Sequence, residues 1–148
     1  MTQEDSLLLK DLCGRIPYGV KALYYDPEEE CETYDEVEGI FNDGQVDIGQ
    51  YGLAIWKIKP YLFPLSSMST SEMNEITDIL GCDSPWSISE GKLTWTVGGS
   101  VESELFELTI DQLERLMYIF NSRHYDYRGL IENHLANDAT GLGIYKEE

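Results

Sequence analysis

The stretch from Ile58 to Gly81, IKPYLFPLSSMSTSEMNEITDILG, constrains this chain more than any other. Pro60 and Pro64 each lack a backbone donor and hold φ fixed, so the spacing predicts that neither a central strand nor a helix runs through them. Between them Tyr61, Leu62 and Phe63 offer a compact apolar plug. Ser69 then has the chemistry of a helix N-cap and Glu72 stands at the capping-box position three residues on. Met68 and Met73 are spaced as a hydrophobic staple. A central helix is expected over 70–80, with Met73, Ile76, Ile79 and Leu80 inward.

On the N-terminal side, Leu8, Leu9, Leu12 and Cys13 recur at helical spacing, which predicts a helix over 3–13 stopped by Gly14 and kept stopped by Pro17. Residues 18–58 read as a four-stranded antiparallel meander: Val20 to Tyr25, Tyr34 to Asn42, a third strand after the turn, and Leu53 to Ile58. Asp43-Gly44 is a two-residue hairpin signal. It pairs Phe41 with Val46 and places Val37, Phe41, Val46 and Ile48 on one face. A curl like that of small SH3-type barrels fits such a meander. On the C-terminal side, a hairpin over 86–97 turns at Glu90-Gly91, with Trp86 opposite Trp95 and Ile88 opposite Leu93. Glu102 to Leu108 has the composition of a further strand. Thr109 and Gln112 form another capping box, with Leu108 and Leu113 as its staple. The helix they start, near 110–123, is expected to bury Ile110, Leu113, Leu116, Met117 and Phe120. Asp126 can cap a last helix carrying Leu130, Ile131 and Leu135, so helices fill 110–136, and the tail from Asn137 is expected to fray. The whole reads as one α+β domain, 1–148.

Twenty-eight acidic residues against ten basic ones leave a formal net charge of −18. That disfavours direct contact with nucleic acid or an anionic membrane, both of which need Lys and Arg, and favours a basic partner. No run approaches the roughly 18 apolar residues of a membrane span, and the acidic start is unlike a secretory signal, so a cytoplasmic protein is expected. Cys13, Cys31 and Cys82 are widely spaced and odd in number, which speaks against a disulfide framework or a zinc site. No metal site or cofactor is expected.

Acids concentrate in Asp26 to Glu38. Glu28, Glu29, Glu30, Glu32, Asp35, Glu36 and Glu38 are the candidate partner-binding residues. DNA mimicry by this segment alone fails on density. Thirteen extended residues span about 43 Å and carry one charge per roughly 5 Å, against one per ~1.7 Å of duplex. Tyr24, Tyr25, Tyr34, Tyr51 and Tyr61 make a candidate aromatic ligand face. Of the two histidines, His134 reads as structural. His124, with Tyr125, Asp126 and Arg128 beside it, is the one residue on which an enzyme reading would centre. Gly98-Gly99-Ser100 and Gly141-Leu142-Gly143 lack the strand, helix and lysine of a phosphate loop. Asn42-Asp43-Gly44 with Asp47 lacks the closing glutamate of a calcium loop. No catalytic residue is assigned.

The run Lys59-Pro60-Tyr61-Leu62-Phe63-Pro64-Leu65-Ser66-Ser67-Met68 resembles a KPYLRPLSSM-like signature of small proteins from gut Bacteroides-type bacteria and their phages and prophages, with Phe63 where the pattern has a basic residue. The stretches from Leu8 to Val20 and from His124 to Ile131 resemble the same family. The resemblance brings no activity. It implies the setting of a mobile-element accessory protein in the cytoplasm of a bacterial host. The expected function is therefore a non-enzymatic acidic binding protein acting on a basic host protein, including one of a defence system. The alternative is a small-molecule-binding or sequestering module on the aromatic face.

Overall fold

The computed structural model describes residues 2–81, 86–89, 92–95 and 109–145, the strands at 86–89 and 92–95 by their backbone. Thr2 Oγ1 accepts from the Asp5 amide at 3.0 Å and the Asp5 carboxylate accepts from the Thr2 amide at 3.4 Å. This reciprocal cap satisfies two amides that a helix start leaves orphaned. Helix α1 (Gln3–Arg15) follows and packs Leu8 and Leu12 into the core under the sheet. Gly14, expected to stop the helix, lies inside it. With no Cβ there, the Asn121 side chain comes within 3.2 Å of where one would stand, so this glycine serves close packing. Pro17 and Gly19 end the helix instead, through a 3-10 turn Ile16–Tyr18.

The architecture is α+β. Strands β1 (Lys21–Asp26), β2 (Cys31–Ile40), β3 (Val46–Ile48) and β4 (Tyr51–Leu53) form an antiparallel meander. The chain then makes a 3-10 turn, Ile55–Lys57, where a strand to Ile58 was expected. Strand β5 (Lys59–Pro64) returns beside β1, straight through the two prolines expected to exclude it. It tolerates them because its pairings are short: Pro60 lies in a two-residue match with β1, and Pro64 is the last residue of the strand. Inner-face residues Ala22, Tyr24, Val37, Val46 and Ile48 meet Leu8 and Leu12 in the main core.

The Asp43-Gly44 turn exists, but its register differs from the expected one. Ile40, not Phe41, pairs with Val46, and a bulge between Val37 and Gly39 brings Val37 opposite Ile48. The bulge inserts one residue, so Val37, Val46 and Ile48 still point inward while Phe41 is exposed.

Helix α2 (Thr70–Leu80) starts at Ser69 as expected, and both bonds of the Ser69–Glu72 box are present. Ile76, Ile79 and Leu80 are buried, but Met73 is exposed. Strands β6 (Trp86–Ser89) and β7 (Lys92–Trp95) pair Trp86 with Trp95 and Ile88 with Leu93, the expected register. The Glu90-Gly91 turn, Gly98-Gly99, the strand expected at Glu102–Leu108 and the Leu108 half of the second staple lie outside the described residues. Helix α3 (Ile110–Ser122) is capped by the Thr109–Gln112 box. Gln112 Nε2 also donates to Ile79 O at 2.9 Å, tying the start of α3 to the end of α2. Leu116, Ile119 and Phe120 are buried with the α2 residues in a second core, whereas Ile110 is 79 % exposed and Leu113 is also exposed. Because each box satisfies two orphan amides, Ser69→Ala and Thr109→Ala are each expected to cost about 1 kcal/mol, read by chemical denaturation. No loss in either variant would show that these bonds do not hold the helix starts.

Beyond α3 the expected last helix is absent. Asp126 does cap, its two carboxylate oxygens accepting from the Leu130 and Ile131 amides at 2.9 Å, but it caps a series of turns. The segment instead supplies β8 (Tyr125–Asp126) and β9 (Asn137–Asp138), both parallel to β5. Among the described residues the sheet thus has seven strands, in the order β4-β3-β2-β1-β5-β8 with β9 also on β5. It stays open rather than closing into a barrel. The tail expected to fray is packed: Ala139 and Ile144 are buried with Tyr61, and Leu23 and Tyr145 pack against them. Tyr145 Oη accepts from the Lys21 amide at 2.7 Å and donates to Tyr61 O at 2.8 Å.

Candidate functional site

The β1–β2 hairpin carries the acids. Its tip, Pro27 to Glu30, is built by Asp26, whose Oδ1 accepts from the Glu28 amide at 2.9 Å and the Glu29 amide at 3.3 Å. An Asp side chain that closes on the next amides mimics a backbone turn, and this places Glu28, Glu29 and Glu30 together at the exposed end. From β4, Tyr51 Oη reaches over to the same Asp26 oxygen at 2.9 Å and to Glu28 Oε1 at 3.1 Å. The Tyr51 hydrogen bond, foremost among the causes, holds the Asp26 carboxyl below its usual range. Partial burial and the two carboxylates push the Tyr51 phenol well above its own.

Along β2 the alternation of a strand distributes the rest. Glu32 and Glu36 share the outer face with Tyr34, directly across from Tyr25, Lys21 and Leu23 respectively: Tyr25 pairs with Glu32, Lys21 with Glu36, Leu23 with Tyr34. Asp35 points to the other face and Glu38 stands at the bulge. All seven candidate acids are exposed. Among the described residues none of them is in an ion pair. The ion pairs among the described residues join Arg15 and Arg128 to Asp11, and Arg123 to Glu72 and Glu75.

The five tyrosines do not share a face. Tyr24 is buried and tilts against Tyr51 at 6.3 Å on the inner side. Tyr61 is buried edge-on to the exposed Tyr34 at 5.8 Å. Tyr25, 54 % exposed, lines an apolar groove of about 390 Å³ with Pro27, Leu53, Trp56 and Lys57. Trp56 is 67 % exposed, and Lys57 Nζ lies 5.2 Å from the centre of an indole ring. The groove exists because β5 starts only at Lys59, so the 3-10 turn, not a strand, lies beside the end of β1. Sequence reasoning passed over Trp56 by placing it in a strand. No local signal marks it, because the apolar run Leu53-Ala54-Ile55-Trp56 reads equally as a buried strand.

His124 is only 4 % exposed. Its ring stacks on Tyr145 at 4.2 Å, and Nε2 lies 3.1 Å from Tyr18 O, which requires the proton on Nε2. Nδ1 has no partner. Burial, then the nearby Arg15 charge, lowers its pKa from 6.5 to about 4. The neighbours that suggested an oriented imidazole are engaged elsewhere. Tyr125 Oη donates to Glu72 at 2.6 Å, Asp126 caps the following turns, and Arg128 Nε donates to Asp11 at 3.2 Å. His134 is exposed in a turn, and Cys13 and Cys31 are free and exposed. Among the described residues no group of His, Cys, Asp and Glu is placed to hold a metal ion, and no helix is long and apolar enough to cross a membrane.

Set against protein-family models, curated proteins and solved structures, the chain has no match.

Proposed function

We propose that this chain is a non-enzymatic binding protein that takes up a basic surface of another protein on its β1–β2 hairpin. The observation that carries this reading is the set of seven exposed carboxylates, Glu28, Glu29, Glu30, Glu32, Asp35, Glu36 and Glu38, none of them in an ion pair among the described residues. An acidic hairpin without ion pairs among the described residues, while Arg15, Arg123 and Arg128 are engaged in internal pairs, attracts cations at long range. The resemblance to phage and prophage proteins supports a host protein as the partner, including a component of a defence system. A small-molecule-binding module is the second reading. The groove at Trp56 favours it, although only Tyr25 of the five candidate tyrosines lines that groove.

The test is the association rate with the partner recovered by the full chain from host extract. It is expected to fall at least about tenfold between ~0.1 M and ~1 M salt, as the Debye length shrinks from about 10 Å to about 3 Å. Changing Glu28, Glu29, Glu30 and Glu32 together to Gln should lower the rate similarly at low salt. These side chains are exposed, and Gln at 28 still accepts from Tyr51. A rate indifferent to both salt and the fourfold change sinks the proposal.

A further inference from the structure

We propose that the outer edge of β2, over residues 31–35, is a docking site for an extended basic segment of the partner, which joins the sheet there as an added strand. The inference rests on the reading of the hairpin as a basic-partner surface, and names the mode of contact. Strand β2 is ten residues long, and β1 pairs with residues 31–36 along one side of it. On the other side β3 covers only residues 37–40. β3 stops there because the chain turns back at Gly49 and Gln50, both at positive φ, and a Cβ at Gly49 would overlap the Tyr24 hydroxyl. Among the described residues no strand pairs with the outer side of residues 31–36.

The register decides which groups that edge presents. The Val37 amide donates to Val20 O at 2.8 Å, which sets the phase of the β1–β2 ladder. Bonded and unbonded positions alternate in an antiparallel pair. Cys31, Thr33 and Asp35 therefore turn their N–H and C=O toward β1, while Glu32, Tyr34 and Glu36 turn theirs outward. The Glu36 amide is taken by Asp35 Oδ1 at 2.7 Å. Glu32 and Tyr34 are left without a bonded amide among the described residues, each offering a donor and an acceptor at the two-residue repeat that an added strand matches. Cys31, Glu32, Tyr34, Asp35 and Glu36 are all exposed.

Charge selects the occupant. A second copy pairing β2 with β2 about Tyr34 sets Glu32 against Glu36 twice, and like charges directly opposite destabilise a sheet. The acids thus bar the self-association to which a bare edge is prone. A strand with Lys or Arg opposite Glu32 and Glu36, and an apolar residue opposite Tyr34, turns the same positions into attractive cross-strand pairs.

The experiment titrates the full chain calorimetrically with a short capped peptide that alternates lysine and valine with threonine. A second form of the peptide is N-methylated at the residues in register with Glu32 and Tyr34, which keeps every charge and side chain but removes the main-chain donors. The methylated form is expected to bind at least about tenfold more weakly. With the parent peptide at about ten times its Kd, hydrogen exchange of the Glu32 and Tyr34 amides should slow roughly tenfold. Glu32→Pro, which removes an outward donor and no bond to β1, should weaken binding beyond Glu32→Gln, which removes only the charge. If Glu32→Pro does not fold, the methylated peptide still decides. Equal affinity of the two peptides, or Glu32 and Tyr34 amides left unprotected beneath bound peptide, overturns the added strand; the acidic hairpin reading stands if the fourfold Glu-to-Gln change still weakens both. No binding by the parent peptide also overturns the added strand, and the salt series then judges the hairpin reading by itself. A peptide with glutamate in place of lysine that binds equally well overturns the basic occupant and the hairpin reading together.

Discussion

Asp11→Ala is expected to be the most damaging single substitution among the described residues, at about 3–5 kcal/mol. Asp11 and Arg15 lie four residues apart on α1 and both are fully buried. Arg15 Nε donates to Asp11 Oδ2 at 2.7 Å and Nη2 donates to Oδ1 at 3.1 Å. The guanidinium also donates to Phe120 O at 3.2 Å and Tyr125 O at 2.5 Å, joining α1 to the end of α3 and to β8. Arg128 reaches the same carboxylate, and the Tyr127 ring lies within 5.2 Å of both guanidiniums. Removing the carboxylate leaves one cation buried without a counter-charge and a second half-buried one without its partner. Replacing the pair together, Asp11→Leu with Arg15→Met, should restore part of the loss, since a buried ion pair exchanged for apolar groups is often near neutral. Recovery is incomplete because the Phe120 and Tyr125 carbonyls lose their donor. Denaturation showing a loss under about 1 kcal/mol for Asp11→Ala would mean the pair contributes nothing beyond its packing.

His124 should make stability depend on pH in a window no exposed histidine would create. Its pKa is about 4 in the folded chain against 6.5 for the free side chain, because burial and then Arg15 disfavour the imidazolium. Between those values the unfolded chain binds the extra proton and the folded chain does not. The contribution is therefore fully present above about pH 6.5 and lost as pH falls towards 4, by about 3 kcal/mol in all. Glu72 acts lower. Burial would raise its pKa, but hydrogen bonds from Tyr125, Ser69 and Arg123 outweigh it, and its contribution is lost only as pH drops below the ordinary carboxylate range. The clean quantity is the difference between the wild-type chain and His124→Asn, in which contributions common to both cancel. Asparagine suits the site because residue 124 sits at φ +60°, a region asparagine tolerates. The wild-type advantage should shrink by about 3 kcal/mol from pH 7 to pH 4. An advantage constant across that range would contradict a neutral buried imidazole. The same variant addresses the enzyme reading, since partner binding should survive it.

What could be read from the chain were signals complete within a few residues. Ser69 with Glu72 and Thr109 with Gln112 each carry donor, acceptor and spacing in one turn, and both boxes form as read. The Trp86–Trp95 register follows from a symmetric alternation around a two-residue gap and needs no distant partner. The acidic tip is legible for the same reason, because Asp26 closes it locally. Features that depend on distant chain were decided otherwise. Pro60 and Pro64 sit in a strand because residues 125–126 and 137–138 arrive to pair with the bonds that remain, and no local rule contains those partners. The segment after Asp126 has helical periodicity, yet docking beside β5 buries Leu130 and Ala136 without a helix. Phe41 and Val37 show the intermediate case: a bulge shifts the register while the inward side chains stay inward, because burial constrains faces more strongly than pairs. The groove at Trp56 belongs wholly to the tertiary level. Tyr25, Pro27, Leu53 and Trp56 lie on β1, the hairpin tip, β4 and the 3-10 turn, and they meet because β5 begins two residues after that turn instead of extending alongside β1.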